Sequence, residues 1–177
     1  MILITGTSAG IGLLTAIELC RRGVRVFASM RDTTRADNLL SAARQSGLTV
    51  DVVQLDVTSE LSVRKAVSRV VADAGRLDVV VNNAGVFTVG PIECADERAV
   101  ESIFQTNIIG VIRVIRAVLP VMRRQGGGRI VNVGSVCAEP RLGFQLTSLY
   151  GATKAALHAL TLDLNKELAP LGITSML

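Results

Sequence analysis

Apolar runs of strand length alternate with longer segments of helical period along the whole chain. The sequence predicts five strands, at 1–5, 24–29, 49–55, 77–82 and 129–134. It also predicts five helices, at 11–22, 34–46, 61–74, 96–124 and 149–169. Short, continuous apolar strands joined by helices are typical of a parallel sheet that is covered on both faces. We therefore predict one α/β domain over residues 1–177, with a doubly wound parallel sheet.

The first predicted strand runs into a glycine-rich turn, and a helix follows. The turn contains Gly6, Ser8, Gly10, Ile11 and Gly12, with the spacing Gly-x-x-x-Gly-x-Gly. Glycine lets the backbone approach a pyrophosphate, and a helix N-terminus offers free N–H groups and the positive end of a dipole. Such a turn can equally be only a tight turn. Its position between a strand and a helix favours a Rossmann-type dinucleotide site.

Polar residues follow the second and third predicted strands. Arg31 lies nineteen residues after Gly12, where a dinucleotide fold faces the adenosine ribose, and an arginine there favours a 2′-phosphate. The other reading is a solvated arginine at a strand end. Asp56 can hydrogen-bond the adenine amino group, or it can cap the next helix through Thr58 or Ser59. The sequence leaves these alternatives open, and Val57 belongs to the same segment.

The fourth predicted strand ends in two amides and two small residues, Asn82-Asn83-Ala84-Gly85. This composition suits a turn. It also suits the close approach of a cofactor ribose, because ligands bind outside the carboxyl ends of parallel strands. We therefore include Asn83, Ala84 and Gly85 among the candidate cofactor residues.

Tyr150 and Lys154 lie four residues apart in the last predicted helix. This spacing places both side chains on one helix face. A phenol ordinarily keeps its proton at neutral pH, and a neighbouring ammonium favours the phenolate. The pair can therefore supply a general acid or base. Because the pattern is common, the rest of the chain must decide between this role and an accidental pairing.

Composition excludes several classes of function. The net charge of +4 is small and dispersed, and the chain has one tyrosine and no tryptophan, so we expect no nucleic-acid partner. Cys20, Cys94 and Cys137 show no metal-ligand spacing and His158 is the only histidine, so we predict no metal site. The odd cysteine count favours a reducing compartment, and the apolar segment 108–122 with two arginines falls short of a membrane span. We expect a cytoplasmic protein.

The ordered set of motifs resembles the classical short-chain dehydrogenase/reductase family over nearly the whole chain. The resemblance rests on the glycine-rich turn, Asp56, the Asn82–Gly85 segment, Asn107, Ser135 and the Tyr150-x-x-x-Lys154 pair, in the order that the family has them. Each motif alone is weak, but the set is specific. The resemblance implies an NAD(P)-dependent oxidoreductase that transfers a hydride between nicotinamide and a secondary alcohol or ketone.

The same resemblance implies a role for each candidate catalytic residue. Tyr150 is expected to exchange a proton with the substrate oxygen. Lys154 is expected to support Tyr150 and to hold the nicotinamide ribose, and Ser135 to hydrogen-bond the substrate oxygen. Asn107 is expected to support a water leading from Lys154 to solvent.

The segment 26–32, which ends in Arg31, resembles family members that prefer NADP, including the steroid- and retinol-active branch. We therefore expect NADP as the preferred cofactor and NAD as the alternative. The helices at 96–124 and 149–169 resemble the pair that forms the family's dimer interface, which implies a homodimer or higher homo-oligomer. The small-molecule alcohol or ketone itself cannot be predicted from these motifs.

The chain departs from the family pattern at two places. Fifteen positions separate Ser135 from Tyr150, about two more than usual, and the extra residues fall in the loop 139–148. If this loop points inward, Thr147 or Ser148 competes for the serine role. The chain also stops near Leu177, where family members continue with a sixth strand, a substrate lid and a seventh strand. We therefore expect the last strands to be missing, with the fifth strand at an open edge. The alternative function is a dinucleotide-binding fragment or regulatory form without turnover.

Overall fold

Six parallel strands form one sheet in the order β3-β2-β1-β4-β5-β6 in the computed structural model, which describes residues 1–139 and 141–177. The strands are β1 (Ile2–Thr5), β2 (Val26–Met30), β3 (Asp51–Gln54), β4 (Val79–Asn82), β5 (Gly128–Asn132) and β6 (Ile173–Met176). The helices are α1 (Gly10–Arg21), α2 (Asp37–Gln45), α3 (Glu60–Ala74), α4 (Glu97–Phe104), α5 (Gly110–Arg124) and α6 (Ser148–Leu168). The predicted doubly wound, Rossmann-type sheet is confirmed.

The two faces of the sheet bury separate apolar clusters. Leu3 and Phe27 point to the face that α3, α5 and α6 cover, whereas Ile4 and Ala28 point to the face that α1 and α2 cover. All four side chains are inaccessible to solvent. Burial on both faces explains why these strands are continuously apolar rather than alternating.

The prediction that the sixth strand is absent is wrong. β6 pairs with β5 in parallel register, Gly128 opposite Ile173, so β5 is an internal strand and not an edge. Gly172 adopts the left-handed backbone that lets the chain leave α6 and enter the sheet. Ile173 and Ser175 alternate as buried positions on this strand. With only four residues, β6 gives a short period-2 signal that is easily missed in a sequence.

The predicted helix at 96–124 is interrupted. Residues Gln105–Ile109 form a π-helical turn between α4 and α5. A π turn widens the helix locally and often marks a functional position. It contains Asn107, whose side chain is thereby turned into the protein interior, 2% exposed.

By length and composition alone, the continuous helical stretch Glu97–Arg124 is sufficient to cross a membrane, with a mean hydropathy of 1.4 in its most apolar window. The segment 108–122, which was expected to be too short to span a membrane, is thus part of a longer helical stretch whose length is sufficient. Its apolar side chains Val111, Val114, Val118 and Met122 are buried in the domain core. A buried core helix passes the same test, so this hydropathy is weak evidence for a membrane segment.

Candidate active site

A cleft of about 550 Å³ opens where the strand order reverses, between the carboxyl ends of β1 and β4. We call it the switch-point cleft. Its walls come from the ends of four strands and comprise Gly6, Ser8, Ala9, Ile11, Gly12, Met30, Arg31, Asp32, Arg35, Leu55, Asp56, Val57, Thr58, Asn83, Ala84, Gly85, Val86 and Thr106. A cavity of about 600 Å³ between α3 and α5 contains none of the predicted site residues, so size alone does not locate the site. Ligands of doubly wound sheets bind at the switch point.

The glycine-rich turn packs directly on the segment after β4. A Cβ atom on Gly6 would lie 2.7 Å from the Cα of Ala84, and one on Gly12 would lie 2.4 Å from Asn83 Nδ2. Asn83 Nδ2 donates to the carbonyls of Thr5 (2.8 Å) and Gly6 (2.9 Å). Thr5 Oγ1 accepts from the N–H groups of Asn83 and Ala84. The side chain of Asn83 therefore holds the turn in place.

The N-terminus of α1 faces the switch-point cleft without a cap. Ala9 precedes the helix and supplies no side-chain hydrogen bond, and the first turn contains no acidic residue. Gly10 has a left-handed backbone with open space around it. The first N–H groups of the helix and its positive dipole end are therefore available to an anion.

Two arginines line the end of the cleft beside β2 and β3. Arg31 was predicted; Arg35, in the short turn after β2, was not. Neither forms a salt bridge within residues 1–139 and 141–177. Asp32 instead accepts from Thr34 N and Oγ1, and these hydrogen bonds hold the pKa of the Asp32 carboxyl below its ordinary value. The carboxylate is thus engaged with its own turn, while both guanidinium groups remain exposed.

Asp56 and Val57 form the third wall of the cleft. Asp56 Oδ1 accepts from Thr58 N (2.9 Å) and Thr58 Oγ1 (2.7 Å), whereas Ser59 is the residue that caps α3. Asp56 therefore forms a local turn with Thr58 and does not cap α3, and its contact with an adenine amino group stays a prediction. The side chain of Val57 is buried, and a Cβ on Gly110 would lie 2.9 Å from it. α5 therefore packs closely against this wall.

Tyr150 lies in the first turn of α6, and Lys154 lies one turn further on. Lys154 Nζ donates to the carbonyl of Val133, just after β5, at 2.6 Å, and lies 5.7 Å from the centroid of the Tyr150 ring. Burial lowers the pKa of Lys154 from its ordinary value. The ring of Phe87 meets that of Tyr150 edge-on, with 4.7 Å between centroids. Phe87 was not predicted, because no motif marks it.

Ser135 lies in the turn that follows β5, and its Oγ accepts from the N–H of Cys137 at 3.2 Å. This turn rests on the start of α6, since a Cβ on Gly151 would lie 2.9 Å from the Cys137 carbonyl oxygen. The structure therefore brings Ser135 and Tyr150 onto neighbouring segments. Thr147, named above as a competitor, is buried and donates from Oγ1 to the Phe144 carbonyl. Pro140, within the loop 139–148, lies outside the described residues.

Asn107 connects the π turn to both parts of the site. Its Oδ1 accepts from Val86 N (2.8 Å), and its Nδ2 donates to Val86 O (2.9 Å) and Thr153 Oγ1 (3.1 Å). Thr153 Oγ1 in turn donates to the Tyr150 carbonyl at 2.8 Å. Thr153 was not predicted, although it lies inside the Tyr-x-x-x-Lys motif. Through these bonds, Asn107 holds the segment after β4 against the first turn of α6.

A parallel sheet with a glycine-lined cleft at its switch point is the architecture of dinucleotide-binding folds. The family model described as short chain dehydrogenase matches residues 1–177. The chain belongs to the short-chain dehydrogenase family, and the predicted resemblance is confirmed.

Two curated relatives are similar to the chain over nearly its whole length. It is 38% identical to the human protein "17-beta-hydroxysteroid dehydrogenase type 1", over 98% of this chain and 53% of that protein. It is 39% identical to bovine "Retinol dehydrogenase 8", over 97% of this chain and 55% of that protein. The chain therefore spans about half the length of these two relatives.

A solved structure agrees with the fold. It is a gluconate 5-dehydrogenase from Burkholderia cenocepacia in complex with NADP and tartrate, with a TM-score of 0.89 and 32% sequence identity. The match covers 98% of this chain and 68% of that one.

Proposed function

We propose that this chain forms the cofactor-binding and catalytic part of an NAD(P)-dependent oxidoreductase that interconverts a secondary alcohol and a ketone. The observation that carries the proposal is the joining of two regions. Asn107 ties the segment beside the switch-point cleft, at Val86, to the helix turn that bears Tyr150. A cofactor in the cleft and a proton donor at Tyr150 would therefore act at one place.

The cleft residues fit a phosphorylated dinucleotide. The uncapped start of α1 and the glycine-rich turn suit the pyrophosphate, because Ala9 supplies no side-chain cap to the helix and Gly6 and Gly12 carry no side chain that would keep a ligand from the backbone. Arg31 and Arg35 suit a 2′-phosphate, since a planar guanidinium recognises phosphate oxygens well. We propose NADP as the preferred cofactor; the NADP complex of the related gluconate 5-dehydrogenase agrees with this choice.

The protein's own contribution to the reaction is the transfer of a proton and the stabilisation of charge. The nicotinamide supplies or accepts the hydride when bound. In the reducing direction, Tyr150 donates its hydroxyl proton to the substrate oxygen, and Ser135 donates a hydrogen bond to the same oxygen. Lys154 places its ammonium near the ring of Tyr150, where it stabilises the phenolate that remains.

Replacement of the tyrosine by phenylalanine tests this assignment. Tyr150→Phe removes the proton donor but keeps the ring that contacts Phe87, so we expect turnover to fall about 10²–10⁴-fold while NADPH affinity stays within about threefold. Turnover of a panel of ketones is followed by the absorbance of NADPH. Ser68→Ala, which removes an exposed hydroxyl on α3 away from the cleft, is the control.

Two outcomes separate this proposal from its alternative. Undiminished turnover in Tyr150→Phe would remove the assignment. Tight NADPH binding by the parent chain with no turnover of any ketone or alcohol would instead favour a dinucleotide-binding part without activity of its own.

We also propose that the protein works as a homodimer or higher homo-oligomer in a reducing, cytoplasmic setting. The described part of the chain contains three cysteines, all unpaired, and two of them are buried. Gel filtration with light scattering at micromolar concentration tests the assembly, and a stable monomer would contradict it.

A further inference from the structure

Arg113, on α5, donates hydrogen bonds in two directions. Its Nη2 donates to Gln105 Oε1 at 2.9 Å, and its Nη1 donates to the carbonyl oxygen of Val57 at 3.4 Å. Gln105 lies 8 positions earlier in the chain and Val57 lies 56 positions earlier, so neither bond has the usual three- or four-residue spacing of a helix surface. Both bonds are charge-assisted, because the donor is a guanidinium. One side chain therefore joins the π turn to the segment that follows β3.

Gln105 is the first residue of the π turn. The N–H of Gly110 donates to the carbonyl oxygen of Gln105, which closes the turn with the five-residue spacing of a π-helix. The side chain of Gln105 accepts from Arg113. Such turns are rare in proteins, and this one is held at its first residue by a backbone bond and by a side-chain bond.

Val57 belongs to the wall of the switch-point cleft, and α5 packs directly against it. A Cβ on Gly110 would lie 2.9 Å from Val57 Cγ2 and 3.1 Å from the Gln105 carbonyl oxygen, so the helix backbone meets the wall and the π turn without room for a side chain. Arg113, one turn further along α5, bonds to the same two residues. We call Arg113, Gly110, Val57 and Gln105 the clamp.

The direction of the Asn107 side chain depends on this turn. Asn107 lies two residues after Gln105, and its side chain bonds to Val86 and Thr153. An α-helix advances about 100° per residue, so relaxation of the π turn to a regular helix would rotate neighbouring side chains by up to that angle. Asn107 would then point away from its partners, and the link between the cleft and the turn that carries Tyr150 would be lost.

We propose that Arg113 is a positioning residue, which acts through Asn107 to hold the switch-point cleft and Tyr150 in one geometry. It anchors the π turn to the wall of the cleft at Val57. Arg113 itself lies on the other side of this wall, in the cavity between α3 and α5, so its effect is exerted through the other residues of the clamp. This inference deepens the proposed function, and its kinetic test rests on that function.

The kinetic test compares two substitutions. Arg113→Met keeps an unbranched side chain but removes every donor, whereas Arg113→Lys keeps the charge and lacks the fork that reaches both acceptors. With the ketone of the panel that the parent chain reduces fastest, we expect kcat to fall about tenfold in Arg113→Met and about threefold in Arg113→Lys. KM for the ketone should stay within about twofold in both, because Arg113 lies outside the cleft and acts on geometry rather than on binding.

Arg116→Met is the matched control. Arg116 is an exposed arginine one turn further along α5, and within residues 1–139 and 141–177 it forms no salt bridge. Its replacement should leave kcat within about twofold of the parent value. The proposal is overturned if kcat is unchanged in Arg113→Met, if Arg113→Lys is impaired as severely as Arg113→Met, or if Arg116→Met loses as much.

Hydrogen exchange separates this proposal from the proposed function. The N–H of Val86 donates to Asn107 Oδ1 at 2.8 Å, so its exchange rate reports the position of Asn107 whether or not the chain turns over a ketone. If the parent chain reduces no ketone, the proposed function fails, and the Arg113 assignment is decided by NMR of the backbone amides. It is upheld if Val86 exchanges about tenfold faster in Arg113→Met while the amide of Arg129, which donates to the Asp78 carbonyl at the other end of the sheet, is unchanged. It is overturned if exchange at Val86 is unchanged, or if both amides exchange faster by the same factor.

Discussion

In the switch-point cleft, backbone packs on backbone and the walls leave no room for a Cβ atom at Gly6 or Gly12. Beside the first turn of α6, by contrast, large apolar side chains from two loops stand exposed; this surface, which we call the apolar mouth, comprises Phe87, Val89, Ile92, Val136, Phe144 and Leu146. Among the described residues of the two loops, the N–H of Gly90 donates to the carbonyl of Leu146. A cofactor that many enzymes share can be bound by a fixed backbone segment, here the glycine-rich turn. Substrates differ between enzymes, and they are bound by side chains on loops. Mutations in the two regions should therefore have different consequences.

The largest expected loss of stability and of cofactor affinity is at the glycine-rich turn. Gly12→Ala places a methyl group 2.4 Å from the Gly6 carbonyl oxygen and from Asn83 Nδ2, so we expect a loss of about 3 kcal/mol in the free energy of unfolding. NADPH affinity should fall more than tenfold because the turn is displaced. Urea denaturation and NADPH titration measure the two effects.

Gly10→Ala is the matched control for this change. Its Cβ meets nothing within 4 Å, so only the left-handed backbone is penalised, by about 1 kcal/mol. If Gly12→Ala proves no less stable than Gly10→Ala, close packing does not hold the glycine-rich turn in place. The turn and the apolar mouth would then not differ in how tightly they are packed.

An intermediate effect is expected at the adenosine end of the cleft. Replacing both Arg31 and Arg35 by alanine should weaken NADPH binding about 30-fold and leave NADH binding within twofold, because each guanidinium loses a charge-assisted contact with a phosphate. Arg44→Ala, an exposed arginine on α2, serves as the control. Equal losses for NADPH and NADH would show that the arginines do not read the 2′-phosphate.

The smallest expected effect concerns the buried cation between the two regions. Burial lowers the pKa of Lys154 below its ordinary 10.5, so the folded chain binds this proton more weakly than the unfolded chain does. The free energy of unfolding therefore rises with pH between the folded and the unfolded pKa. Lys154→Met lacks this group, and we expect it to be about 1 kcal/mol more stable than the parent at pH 7 while losing turnover.

The sign of this effect is checked by its pH dependence. The stability advantage of Lys154→Met should shrink as pH rises towards 10.5, when the unfolded lysine also loses its proton. The same change at the exposed Lys65 should leave stability unchanged within about 0.5 kcal/mol. An advantage that grows with pH would contradict the account of Lys154.

The switch-point cleft and the apolar mouth also differ in how far the sequence could predict them. Glycine spacing between a strand and a helix marks the glycine-rich turn, and the four-residue spacing on a helix marks the Tyr–Lys pair. The fold and the candidate site could therefore be identified from local patterns. Phe87 was missed because its contact with Tyr150 joins segments distant in sequence. Arg35 was missed because it lies in the short turn after β2, beyond the strand end where the pattern places the arginine. The π turn at Asn107 was missed because its residues keep an ordinary helical pattern. β6 was missed because four residues give too short an alternation.

The most direct test of the central claim is a titration of the chain with NADPH and NADH that records the ultraviolet emission of Tyr150. The claim is that the switch-point cleft and Tyr150 form one site. It predicts saturable quenching of the single tyrosine by both cofactors, with NADPH the tighter ligand, at the concentrations where the nicotinamide's own fluorescence changes. Binding seen in the nicotinamide fluorescence with unchanged tyrosine emission, or no binding of either cofactor, would contradict it.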